Sequence, residues 1–456
     1  MKKVSKFITN HSFLIVLLSV LLLIPATIGY VNTKVNYDIL VYLPKDIETI
    51  KGQDILTDEF GIGAFSFVTV DNMSNHDILK LEDKIKDIDG VNEVMSIADI
   101  TDETIPIDML PSEIVNKVTN KDKTIMVVTF KESTSNDKTI SAVKQMRETV
   151  KDSSTVSGMT AMVLDTMNLS NQEIAAYVVI AVALCLIVLT LATDSYLTPV
   201  FLLLNIGMAI MYNMGSNIFL HDVSYITKAI TAVLQLGVTT DFSIFLYHKY
   251  EQAKEKEKDK KKAMEKAIKE TFKSVIGSSL TTIAGFLALC FMDLTLGKDI
   301  GIVMAKGVLF GLICVLTIFP SLLLVFDKYI EKTKHKVILP KFQRLQKFSL
   351  KHYVLILITF IIICIPAFYG NSHYDVYYKL DKSLPQDLPS SIANSNLSKE
   401  FNITSPEIIL LDKNVPTYKT KELVNKLKNQ KGIDLVLAPQ TIEEFGIPSN
   451  MLPEEV

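Results

Sequence analysis

Tryptophan is absent from the 456 residues, so any aromatic belt at a membrane surface would rest on the 16 tyrosines. Only four cysteines occur (Cys185, Cys290, Cys314 and Cys364), all inside apolar runs, and the long polar region after the first run has none. That distribution excludes a disulfide framework and leaves the four as small hydrophobes. No GxxxxGK[ST] segment is present, which excludes direct ATP-driven work through a phosphate-cradling loop. The seven histidines show no HExxH or other metal-ligand spacing. No metal, no cofactor and no enzymatic activity are therefore expected. The net charge is only −3, which gives no reason to expect a nucleic-acid surface.

What the chain has in quantity is apolar sequence. Hydrophobic residues make up 48% and the mean hydropathy is +0.29, with seven runs long enough to cross a bilayer: 12–30, 173–193, 197–219, 224–247, 275–293, 299–325 and 353–370. Lys2, Lys3 and Lys6 before the first run imitate a signal peptide. The run is long for one, however, and reappears deep in the chain, so it is read as a retained span. The charges are segregated: Lys249–Lys273 and Lys328–Lys351 are dense in lysine, whereas 31–172 is acidic. Lysine-rich loops stay inside. The N-terminus and both lysine-rich loops are therefore expected on the cytoplasmic face of a bacterial cell membrane, with 31–172 and the tail from 371 outside.

The first stretch also occurs twice. At one constant offset Phe7, His11, Pro25, Ala26, Gly29 and Phe60 meet Phe348, His352, Pro366, Ala367, Gly370 and Phe401. The turn Leu43-Pro44-x-Asp46 recurs as Leu384-Pro385-x-Asp387, and Met109-Leu110-Pro111-x-Glu113 as Met451-Leu452-Pro453-x-Glu455. Tandem duplication of a membrane unit is how many secondary transporters are built, with the working site between the halves. The expected organisation is a first span (1–30), an outside α/β domain (31–172), a five-span bundle (173–326), a basic linker (327–352), a seventh span (353–370) and a partial second outside domain (371–456).

Within the first outside domain, Ser66–Asp71, Val91–Ile97, Thr124–Lys131 and Thr155–Met159 read as strands, and His76–Ile88 and Asp137–Val150 as helices. Two βαβ units in succession predict a ferredoxin-like split βαβ sheet. The second copy offers one βαβ unit: strand Glu407–Leu411, helix Tyr418–Asn429 and strand Ile433–Ala438. Its sheet half would leave an open edge. The stretch 249–273 mixes Glu and Lys at spacings of three and four. It reads as one charged helix, either solvated or lying on anionic lipid, with Ala263, Met264, Ala267 and Ile268 as a thin apolar stripe.

The chemistry of interest lies in the spans. Asp241 sits within the fourth, about 12 Å from Lys249 at 1.5 Å per residue. A carboxylate at that depth costs about 2.5–3.5 kcal/mol on insertion scales, and burial moves its protonation toward a range where it can load and release a proton. Gly237, one turn earlier, leaves room for a neighbouring helix, as does Gly285 in the fifth span. Lys306 in the sixth span is the candidate partner of Asp241, or else snorkels to the interface. Thr231, Gln235, Thr239, Thr240 and Ser243 read either as the lining of a hydrated path or as interhelical hydrogen-bonding glue.

The segments LQLGVTTDFSIFLYHKYEQ (Leu234–Gln252), SSLTTIAGFLALCFM (Ser278–Met292) and TIFP (Thr317–Pro320) resemble the corresponding spans of the MMPL-type permeases of the resistance-nodulation-division superfamily. The likeness covers essentially the whole chain. In such permeases a fourth-span Asp-Tyr pair works with its equivalent in the second half as a proton relay. The resemblance places that role on Asp241, with Lys306, Thr240 and Ser243 as candidate helpers. The tyrosine position here is Phe242. The resemblance implies a proton-motive-force-driven exporter of hydrophobic or amphiphilic compounds (drugs or lipids). Its partners are then membrane lipids, those compounds, protons, and either a homo-oligomer or a second half continuing for about 225 residues, as judged from the length of the first unit. The rival expectations are a non-transporting membrane scaffold or lipid-sensing module, or an inactive fragment.

Overall fold

The computed structural model describes residues 2–99, 112–150, 154–337, 343–374 and 384–438. They cluster into two compact units, 1–44 with 167–380 and 45–166 with 381–456.

The first unit is helical. A short helix α1 (Lys2–Asn10) precedes α2 (Ser12–Asn32), and strand β1 (Lys34–Asn36) closes this stretch. The second unit then supplies α3 (Glu48–Phe60), β2 (Ala64–Asp71), α4 (Asn75–Lys86), β3 (Val91–Met95), α5 (Ser112–Val118), β4 (Thr119–Asn120), β5 (Lys123–Phe130), α6 (Asp137–Thr149) and β6 (Ser154–Ser157). The chain returns along the 34-residue helix α7 (Met159–Ala192). The bundle continues with α8 (Leu197–Gly215), β7 (Asp222–Ser224), α9 (Tyr225–Lys254), α10 (Lys260–Ala288), α11 (Thr295–Val325), α12 (Asp327–Lys332), α13 (Gln343–Lys351) and α14 (Tyr353–Ser372). Two further helices, α15 (Pro389–Phe401) and α16 (Thr417–Lys428), belong to the second unit.

Among the described residues seven helices are long and apolar enough to cross a membrane, and they fall on the seven runs expected from the sequence. The chain is a multi-pass helical membrane protein. Burial ranks the helices: 67% of the apolar window of α11 is enclosed but only 6% of that of α7, so α11 is central and α7 peripheral. The core joins Leu202, Ile206 and Ala209 of α8, Leu246 and Tyr250 of α9 and Val315, Phe319 and Leu322 of α11. Where α2 crosses α8 the backbones touch: a Cβ on Gly29 would stand 2.2 Å from the carbonyl oxygen of Gly215, and one on Gly215 would stand 2.1 Å from that of Ala26. Only glycine fits at either place.

The lysine-rich stretch departs from the expected single helix over 249–273. Helix α9 ends at Lys254, and α10 starts at Lys260 with Asp259 as N-cap, its carboxylate accepting from Lys261 N at 2.9 Å. The reason is burial. Ala263, Met264, Ala267 and Ile268 are enclosed (0–1% exposed) in the core that also holds Ile8 of α1, so the chain must turn back for that stripe to face inward. The break is pinned by Asp327, which is buried and paired with Lys254 at 3.3 Å and with Lys260.

In the second unit an antiparallel sheet has the order β3-β5-β2-β6, with β4 hairpinned onto β5. Alternation divides it into two faces. Val68, Val70, Met126, Val128 and Phe130 are buried, as are Ile78, Leu81 and Ile85 of α4 and Ala142, Val143 and Met146 of α6. The other face presents Phe67 and Ile125, which α15 covers with Leu397 and Phe401. Polar anchors fix that helix: Asp165 accepts from Ser390 N at 2.7 Å, Asn394 from Gly158 N at 2.8 Å, and Glu400 pairs with Lys123 at 2.7 Å.

Helices α3 and α15 are repeat copies, each of 13 residues and each closed by a left-handed residue, Gly61 and Asn402. Yet α3 buries no residue. The strands expected over Glu407–Leu411 and Ile433–Ala438 do not form. In the first copy β2 and β3 never pair with each other, because both pair with β5. Among the described residues neither segment has a strand beside it to bond.

One carboxyl in this unit sets a pH dependence. Glu82 lies on the buried face of α4, 6% exposed, beneath the turn in which Asp99 accepts from Ser96 N at 2.8 Å. Burial, helped by the facing Asp99 and nearby Asp83 carboxylates and partly relieved by Ser96, pushes Glu82 up to about 7. The folded state therefore holds a proton that the unfolded chain releases between pH 4.5 and 7, and stability falls as pH rises through that window. The loss is on the order of 2–3 kcal/mol. Thermal unfolding at pH 5 and pH 8 should show the second unit several degrees less stable at the higher pH, and Glu82→Gln should flatten that difference.

Candidate functional site: the two sides of helix α9

Helix α9 presents different chemistry on opposite sides. Ile230, Leu234, Gly237, Asp241, Phe245 and His248, three or four residues apart, form its exposed stripe. Asp241 is mid-helix on that stripe, and among the described residues nothing hydrogen-bonds to or pairs with its side chain. A Cβ built on Gly237 or on Gly285 of α10 meets nothing within 4 Å. Thr240 donates back to Leu236 O at 2.5 Å and buried Ser243 to Thr239 O at 2.9 Å. Both hydroxyls are thus occupied by the backbone of their own helix.

Lys306 lies elsewhere. Its ammonium donates to Asn213 O (2.9 Å), Ser216 Oγ (2.8 Å) and Asn217 Oδ1 (2.6 Å). All three N–H groups are used at the C-terminal end of α8, where the free carbonyl and the negative end of the helix dipole favour a cation. No ion pair joins it to Asp241 among the described residues.

The buried side of α9 mixes polar residues with apolar ones such as Leu236, Phe242 and Leu246. Asn213 Nδ2 donates to Gln235 Oε1 at 3.0 Å, and Gln235 Nε2 to Gly307 O at 3.0 Å. At one end Asp299 accepts from Ser224 N (2.9 Å) and Thr227 Oγ1 (2.5 Å). At the other, Tyr247 donates to Asp194. Sequence reasoning singled out Gln235, Thr231, Thr239 and Ser243 but missed Asn213, Asp299, Asp194 and Tyr247. The signal available was spacing: 227, 231, 235, 239, 243 and 247 are polar at every fourth position.

A groove of about 250 Å³ opens between α7, α8 and α9, lined by Val178, Val182, Gly207, Met211, Val233 and Leu236 among others. Its lining is almost wholly apolar, and it exists because α7 packs so little against its neighbours.

Comparison with known proteins places this architecture. The MMPL family model matches residues 71–348. A membrane protein of Methanocaldococcus jannaschii is 25% identical over 367 residues, 72% of this chain and 95% of that protein. The chain is also similar to a protein of Mycobacterium leprae named as a probable transport protein, MmpL4 (23% identical over 56% of this chain), and to the siderophore exporter MmpL5 of Mycobacterium tuberculosis (22% over 56%). In both mycobacterial proteins the match spans 28% of their length. With its seven apolar helices and a match over more than half its length, the chain belongs to the MMPL family.

Proposed function

We propose that the chain works in proton-motive-force-driven export of hydrophobic or amphiphilic compounds, with Asp241 as the protonated and deprotonated group. The observation that carries this reading is an unpaired carboxylate mid-way along a spanning helix, on a stripe open enough to take another helix. An ionised carboxylate left against hydrocarbon costs about 2.5–3.5 kcal/mol, a cost that water or a polar neighbour relieves. Two states with different packing follow. One proton moving down ~100 mV supplies ~2.3 kcal/mol to drive the change.

The family names support transport, since MmpL5 is named a siderophore exporter. The apolar groove beside α7 supports a cargo that enters from the bilayer. The strand order of the second unit agrees with a ferredoxin-like porter domain. The lysines of 249–273 and 328–351 argue for that end of the bundle being cytoplasmic.

The test is export of a labelled amphiphile from proteoliposomes under an imposed pH gradient. Export should stop when an ionophore collapses the gradient. Export that continues undiminished would remove proton coupling from the reading.

A further inference from the structure

Helices α1 and α13 are copies at the repeat offset, nine residues each, and each leads into a spanning helix through a single histidine. The two joints bend alike. His11 stands at φ −114° and ψ 27° and His352 at φ −118° and ψ 29°, neither with a side-chain cap. Each still donates its backbone N–H to the phenylalanine carbonyl four residues back, at 3.0 and 2.9 Å. Each ring also lies against that phenylalanine, with centroids 4.6 and 4.8 Å apart. Helix α1 rests on α10 and α11, whereas α14 buries none of its residues. The shared bend is therefore set by the local sequence and not by what packs around it.

The outward pattern of the two helices is also the same, and the inward one is not. In α1 the bundle buries Ser5, Ile8 and Thr9. Their counterparts are Gln346, Ser349 and Leu350, a set of different size and polarity. At about 100° per residue, Lys3 and Lys6 share one outward edge of α1, and Val4, Phe7 and His11 share the other. The copy keeps a cation for each cation (Arg344 and Lys347) and adds Lys351, while Leu345, Phe348 and His352 keep the apolar edge. Phe7 is 58% exposed and Phe348 52%, so neither aromatic serves the core. A surface kept in duplicate while the packing beside it changes answers to something outside the chain. Six crossings, by α2 and then α7 to α11, return the chain to the side it started from. Both helices therefore meet the same face of the bilayer.

Their cations are available to it. Lys3, Lys6, Arg344, Lys347 and Lys351 pair with no carboxylate among the described residues, unlike Lys254 and Lys260, which hold Asp327. Glu265, which accepts from the Thr9 hydroxyl at 3.4 Å, is paired with Lys269 at 3.7 Å. Residues three apart on a helix stand about 5–6 Å from each other at Cβ, close enough for two cations to reach one phosphate.

We propose that α1 and α13 are two equivalent seats for an anionic phospholipid. Its phosphate lies between Lys3 and Lys6, or between Arg344 and Lys347, in charge-assisted hydrogen bonds. Its acyl chains pass Phe7 or Phe348 and run beside α2 or α14. A water-soluble anion would leave the apolar edge unused, whereas a lipid uses both edges at once. The inference depends neither on the exported compound nor on proton coupling.

The absence of tryptophan supplies the reporter. Phe7→Trp and Phe348→Trp, made separately in the full chain, place one tryptophan at each seat. Each chain is reconstituted in phosphatidylcholine with a minor fraction of lipid brominated on its acyl chains, carrying either a phosphatidylglycerol or a phosphatidylcholine headgroup. Quenching at both tryptophans should favour brominated phosphatidylglycerol by about fivefold or more. Lys3→Gln with Lys6→Gln should abolish the preference at the first seat, and Arg344→Gln with Lys347→Gln at the second, while Lys6→Arg preserves it. Equal quenching by the two lipids in either single-tryptophan chain overturns the pair of seats, whether or not any charge variant folds. A preference that survives the loss of both cations belongs to the general charge of that face and overturns the seats as well.

Discussion

Asp241→Asn should abolish gradient-driven export while leaving the chain folded and in the membrane. The amide is nearly isosteric with the carboxyl, and the exposed stripe around it holds no partner that the change would orphan. What it removes is the ability to exchange a proton. An uncharged Asn no longer pays the cost of ionisation in hydrocarbon, so the two packing states differ by no proton-dependent term and the gradient has nothing to act on. A fall of two orders of magnitude or more in transport, with unchanged thermal unfolding, is expected. Asp241→Glu keeps the titrating group but moves it by one methylene, and should retain part of the activity. Transport by Asp241→Asn at the parent rate would dismiss this residue from the mechanism.

The second large effect is structural. Gly29→Val should prevent the bundle from assembling, because the new side chain would be driven into the backbone of α8, where Gly215 already approaches as closely as atoms allow. Overpacking of a side chain into a flexible core costs about 1–3 kcal/mol. Here the obstacle is a helix backbone, so the cost is higher and the α2–α8 crossing opens. The repeat supplies an internal control. Gly370 is the counterpart of Gly29, and a Cβ there meets nothing within 4 Å, so Gly370→Val should fold like the parent. Size-exclusion profiles and unfolding temperatures of the two variants measure the contrast. Equal behaviour would show that the crossing tolerates separation.

Much of this architecture was readable from the residues. Apolar runs of span length declare themselves by composition, because a bilayer admits few alternatives, and the repeat needed only the recurrence of Pro25 as Pro366 and Gly29 as Gly370. Strands β2 and β5 followed from alternation, and α4 and α6 from helical spacing. The failures share one cause, which is dependence on a distant partner. Glu407–Leu411 has the composition of a strand, but a strand exists only beside another. The stripe at Ala263 and Ile268 gave no hint that Ile8 would share its core and force the turn before Lys260. Lys306 looked like a counter-ion for Asp241 because charge suggests charge, yet the end of α8 offers it three oxygens. The polar residues of α9 were visible singly, and their joint placement on the inward face came only with the positions of α8 and α11.

The cover that α15 forms over Phe67 and Ile125 also has a consequence in time. The sheet is complete once β6 has been made, but residues 389–401 follow it by more than 230 positions. At about 5–20 residues per second, a ribosome needs roughly 12–50 s to deliver them. For that interval the nascent domain shows an aromatic, sticky flank to its surroundings. Cells making this chain must shield that flank until the second repeat arrives, and an expression fragment ending before Pro389 should clump unless the missing helix is supplied in trans.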